Sequence, residues 1–158
     1  MSVAIPAVIA DVDAAWLTEA LRAAGVIGAG TTVSEADVVD ISQGTGVFGD
    51  VLRVGLTYQG PREGAPDSVI VKIPTTAPVN LQVGLALGLY EREVNFFRQV
   101  APSLKVRVPH CYWADMDLAT NRFVLVIENL TDLVVGDQIG GCTLHQAEVA
   151  IDNLAALH

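Results

Sequence analysis

Between residues 51 and 58 the sequence takes on a period of two. Leu52, Val54, Leu56 and Tyr58 alternate with Val51, Arg53, Gly55 and Thr57. A polar turn over residues 59–67, carrying Pro61, Gly64 and Pro66, separates them from a run of nearly continuous β-branched side chains over residues 68–73. Alternation gives a strand two unlike faces, whereas an unbroken apolar run suits a strand covered on both. The middle of the chain is thereby committed to a sheet, and the helical segments are read as what covers it.

Residues 13–24 place Trp16, Leu17, Ala20, Leu21 and Ala24 on one helical face, with Asp11 or Asp13 as the cap and Gly25 as the stop. A strand over residues 37–42 leads through a glycine-bearing link to the alternating segment. Residues 81–100 carry a long helical pattern in which Leu85, Leu89, Glu93, Phe97 and the nearby Phe96 share one side, and Pro102 ends it. Residues 110–114 and 122–128 read as a hairpin-like pair around a turn at 115–121. After a linker over residues 129–141, Thr143 and Gln146 make a capping box for a last helix, with Ala147, Ile151 and Leu154 as its apolar stripe. No Gly, Asn or Pro terminates that helix before Leu157 and His158.

Of 158 residues 51% are hydrophobic, enough for one domain with its own core. Eighteen acidic residues against nine basic ones give a net charge of −9, the wrong sign for holding phosphate backbones or anionic lipid. Nucleic acid and membrane are therefore not expected as partners. Residues 1–10 are apolar without a cationic flank, and the uncharged stretch 74–90 is broken by Pro, Thr, Asn and Gln, so a soluble, cytoplasmic protein is expected. Cys111 and Cys142 lack metal-ligand or redox spacing and are expected as two buried, reduced thiols.

Seven of the nine basic residues are Arg, so the two lysines, Lys72 and Lys105, stand out. Lys72 ends the strand Val69-Ile70-Val71, a place built for burial, where an ammonium needs a partner. Glu93 supplies one: four residues after Leu89 and four before Phe97, it lies on the apolar side of the helical pattern. Gly44-Thr45-Gly46-Val47-Phe48-Gly49 precedes both, a loop whose backbone N–H groups are open to phosphate oxygens. A dinucleotide-binding turn requires a helix directly after Gly49; the alternation after it predicts a strand and removes that reading. Asp115 and Asp117 read as solvated turn residues, and His110, His145 and His158 as structural, so no metal site is expected.

Gly44-x-Gly46-x-x-Gly49-x-Val51 resembles the glycine-rich loop of the protein-kinase-like fold, and Val69-Ile70-Val71-Lys72 its third-strand lysine motif. Glu93 is similar to the glutamate paired with that lysine. Glu93-Val94-Asn95-Phe96-Phe97, Val108-Pro109 and residues 123–130 resemble the small-molecule branch: aminoglycoside phosphotransferases, choline kinases and ecdysteroid-kinase-like proteins.

The resemblance implies an α+β fold: an antiparallel five-stranded sheet with a packed long helix, an N-terminal helix, and a first helix toward a missing C-terminal lobe. It divides the chain into an N-terminal helical extension (1–36), a nucleotide-binding lobe (37–130), and a linker with that helix (131–158). It implies ATP as the bound nucleotide. Gly44, Thr45, Gly46, Val47, Phe48 and Gly49 would cover the phosphates, with Val51 beside them; Lys72 would contact the α and β phosphates, and Glu93 would hold Lys72. Ile127 would precede the hinge, the Glu128 carbonyl would accept from the adenine amino group, and the Leu130 N–H would donate to the ring.

The sequence departs from the family in lacking the catalytic-loop aspartate and the Asn and Asp that hold Mg²⁺. It is accordingly expected to be inactive alone as a truncated phosphotransferase, Mg²⁺ and the small-molecule acceptor belonging to the full enzyme. The competing expectation is a non-catalytic nucleotide-binding or association module, self-associating through the face a second lobe would cover.

Overall fold

Five strands form one antiparallel sheet in a computed structural model that describes residues 3–42, 48–134, 136, 137 and 139–157. The strands are β1 (Thr32–Asp40), β2 (Gly49–Gln59), β3 (Ser68–Pro74), β4 (Cys111–Asp117) and β5 (Arg122–Glu128), in the order β1-β2-β3-β5-β4. Four α-helices accompany them among the described residues: α1 (Ala14–Ala23), α2 (Pro78–Ala86), α3 (Leu89–Asn95) and α4 (Leu144–Leu157). The fold is α+β with a five-stranded antiparallel sheet, as the sequence predicts.

The sheet separates two cores. Leu52 and Val54 of β2, Val69, Val71 and Ile73 of β3, and Val124 and Val126 of β5 pack on one side with Trp16, Leu17, Ala20 and Leu21 of α1. Phe123 and Leu125, the alternate residues of β5, pack on the other side with Tyr90 and Val94 of α3 and with Phe97. Both faces of β5 are thus covered, which explains its unbroken apolar sequence.

Helix α1 is capped by Asp13, whose carboxylate accepts from the Trp16 N–H at 2.8 Å, and the chain leaves it through Gly25 at φ +71°. Leu17 and Leu21 are fully buried, each contributing about 1.5–3 kcal/mol, so Leu21→Ala would cost about 2–5 kcal/mol. The Thr18 hydroxyl accepts from the Val33 N–H at 2.9 Å and ties α1 to the edge strand β1.

Three expectations are corrected. Strand β1 begins at Thr32 rather than residue 37, because pairing with β2 recruits a stretch whose polar side chains hide it; of its nine residues only Val33 is buried. The long helix over residues 81–100 is broken. Gly88 sits at φ +62°, a conformation no helix interior permits, so α2 ends and α3 restarts on a new axis before passing into a wide π turn over Phe96–Val100. The buried stripe therefore runs through Tyr90, Val94 and Phe97 rather than Leu89, Glu93 and Phe97.

The third correction concerns the thiols: Cys111 is half-buried and Cys142 exposed. Helix α4 has the predicted capping box, Gln146 N–H to Thr143 Oγ1 at 3.2 Å and Thr143 N–H to Gln146 Oε1 at 2.8 Å, but buries none of its described residues. Among the described residues no helix is long and apolar enough to cross a membrane.

Candidate functional site

Strand alternation decides where Lys72 points. Val71 and Ile73 enter the α1 core, so Lys72, between them, lies on the α3 side. Its ammonium meets both oxygens of Glu93, at 2.6 Å to Oε1 and 2.8 Å to Oε2. The side chains are 29% and 31% exposed, so the pair stands at the rim of the core and not inside it, less buried than the strand sequence predicts. Glu93 reaches this rim because it lies beside the stripe Tyr90–Val94–Phe97, one residue off the buried line.

Register extends the site across the sheet. Val51 of β2 and Leu125 of β5 lie opposite Lys72, and Arg53 and Ile127 opposite Ile70. Cross-strand partners share a face, so Val51, Arg53, Ile70, Lys72 and Ile127 form one surface. Val51, Ile70 and Ile127 are half-exposed and Arg53 is exposed, leaving a shallow apolar floor flanked by two cations.

Gly49 closes the other side. A Cβ there would stand 3.1 Å from the Ile73 carbonyl oxygen and 3.4 Å from Lys72 Cε, so the start of β2 lies close against the lysine stem. The adjoining Phe48 carbonyl accepts from the Tyr90 hydroxyl at 2.6 Å. Tyr90 is buried, with its ring stacked on Phe123 at 4.7 Å. Burial, and then the charge of Asp50, push the Tyr90 hydroxyl above its ordinary value. The Asp50 carboxyl is itself pushed up, first by burial and then by Asp40.

Gly44, Thr45, Gly46 and Val47 lie outside the described residues. At the far end of the surface, Glu128 places its carboxylate on Arg107 Nη2 at 2.7 Å and on the His110 N–H at 3.0 Å. Those contacts, Arg107 foremost, hold the Glu128 carboxyl below its ordinary value. Asn129 donates to the Ser68 hydroxyl at 2.9 Å, pinning the chain as it leaves β5, and the Leu130 carbonyl accepts from the Leu133 N–H at 2.9 Å. A cleft of about 450 Å³ lies beyond Glu128, between the end of the α3 segment and β4, lined by Phe97, Pro102, Val108 and Cys111. Lys72, Val51, Ile70 and Ile127 do not line it.

Asp115 and Asp117, expected in the turn, instead lie at the end of strand β4, because pairing with β5 continues through them: Asp115 pairs with Arg98 at 2.8 Å, and Asp117 accepts from the Ala119 N–H and the Thr120 hydroxyl. No group of three or more His, Cys, Asp or Glu side chains able to hold a metal occurs among the described residues. His110 stacks edge-on against Tyr112, His145 is exposed on α4, and His158 lies outside the described residues.

The structure thus brings Lys72, Glu93, Gly49 and Val51 together, and sets Ile127 one register row away. Sequence reasoning missed Tyr90 and Phe123. The available signal was the position of Tyr90, three residues before Glu93 and hence close to the same helical face. Comparison of the chain with protein-family models, with curated proteins and with solved structures returns no match.

Proposed function

We propose that this chain is a nucleotide-binding lobe of the small-molecule phosphotransferase type, taking ATP on the α3 side of the sheet. The observation that carries the reading is the two-oxygen contact between Lys72 and Glu93, with the glycine-bearing start of β2 close against the lysine stem. Such a lysine is held in one direction by its carboxylate partner, where the phosphates would lie. By the family resemblance, the glycine-rich run 44–49 would cover them. Adenine lies on the floor of Val51, Ile70 and Ile127, with the backbone of Glu128 and Leu130 at its edge. The lobe binds and orients ATP; transfer to an acceptor hydroxyl would further need a base and Mg²⁺ ligands, which this sequence does not carry in the family's motifs.

The direct test is displacement of a fluorescent ATP analogue. ATP and ADP should compete, and inorganic phosphate and NAD should not; failure of ATP to compete at millimolar concentration would remove the reading. A second reading, a module acting by association, is favoured by α4, whose Leu144, Ile151 and Leu154 are 77%, 63% and 54% exposed. Sedimentation across a concentration series separates the two, because association through that stripe would be lost in Ile151→Asp and a monomer at all concentrations would exclude it.

A further inference from the structure

The Tyr90 hydroxyl serves no packing need. A phenylalanine would fill the same volume between Phe123 and α2, and a buried hydroxyl is costly unless it is bonded. The chain nevertheless keeps the hydroxyl, only 3% of the residue being exposed, and keeps space for it. At Gly84 of α2 a Cβ would stand 2.6 Å from that oxygen. Among the described residues its hydrogen bond runs forty-two residues back, to the carbonyl of Phe48, directly before Gly49, and the Phe48 ring packs on the same core as Tyr90. Three residues further along α3, Glu93 holds Lys72. One short helix therefore holds both sides of the surface, the Phe48–Gly49 backbone through Tyr90 and the lysine through Glu93.

We infer that Tyr90 is a positioning residue that fixes the backbone of Phe48 and Gly49 relative to Lys72 and thereby sets the grip on the nucleotide's phosphates. This inference rests on the nucleotide reading above. It predicts an effect on phosphate recognition but none on the base. In Tyr90→Phe the affinity for a non-hydrolysable ATP analogue should fall about 3- to 10-fold, the loss tied to one buried hydrogen bond, while affinity for adenosine stays within about twofold. Hydrogen exchange at the amides of residues 48–51 should quicken, with β3 and β5 unchanged. Equal weakening of ATP and adenosine would assign the hydroxyl to general packing and overturn the inference. So would unchanged ATP affinity in Tyr90→Phe when Lys72→Ala abolishes it. Absence of ATP binding in the unaltered chain would instead remove the nucleotide reading itself, and the positioning role with it.

Discussion

Lys72 on β3 and Glu93 on α3 are joined by two contacts, Nζ to Oε1 at 2.6 Å and Nζ to Oε2 at 2.8 Å, an ion pair between the sheet and the helix at the candidate site. With each partner about one-third exposed, solvent screens the attraction, so the pair contributes at most about 1 kcal/mol to stability. Its consequence is geometric. Glu93→Gln should leave the denaturation midpoint nearly unchanged and weaken ATP binding about tenfold, since the lysine loses a charged partner and its fixed direction. Parallel unfolding and binding titrations check this; a large loss of stability with binding intact would contradict it.

Gly49 is constrained by what stands beside it. The Ile73 carbonyl, 3.1 Å from an added Cβ, is backbone and cannot swing aside. Gly49→Ala should therefore destabilise by about 1–3 kcal/mol and shift the lysine stem, lowering ATP affinity as well. At Gly28 nothing lies within 4 Å, so Gly28→Ala should stabilise by about 0.4–1 kcal/mol through the unfolded chain alone. Urea midpoints of the two variants moving in opposite directions is the expected result.

Much of this site is legible in the sequence, for identifiable reasons. The β-branched run before Lys72 fixes its strand, and helical spacing puts Glu93 near the inward side, so the pairing follows from two local patterns. Tyr90 is not legible, because its inward orientation depends on the restart of the helix at Gly88, and its partner Phe48 is forty-two residues distant. The first five residues of β1 are hidden for a different reason: an edge strand needs hydrogen bonds from β2 more than it needs apolar side chains, so Thr32 to Ala36 show no pattern to read. The exposure of α4 is likewise invisible, since an amphipathic stripe states that a face is apolar and not what covers it.

Asp50 gives the fold a pH dependence with a definite sign. Burial and the charge of Asp40 raise its carboxyl above the ordinary 3.8, so ionisation is more costly in the folded chain than in the unfolded one. Stability from this group is therefore present below 3.8 and declines as pH rises through the raised value. Asp50→Asn should raise the melting temperature at pH 7 and lose that advantage at pH 3, as a pair of thermal scans would show. A gain that is the same at both pH values would contradict the assignment.

The two thiols should separate cleanly. Burial pushes the Cys111 thiol up to about 11, whereas Cys142 is exposed in the segment before α4. At pH 8 the Cys111 thiolate is on the order of 10²-fold scarcer than that of an unperturbed thiol near 8.5. Alkylation followed by mass spectrometry should show Cys142 modified first and Cys111 modified only on unfolding; fast, equal labelling would contradict this burial.

The central claim, that Lys72 and its surroundings hold ATP, is tested most directly by titration calorimetry of an ATP analogue into the unaltered chain and into Lys72→Ala. Measurable binding that is lost in Lys72→Ala, with both proteins melting at similar temperatures, is the result predicted. No heat from either protein, or equal affinity in both, would contradict it.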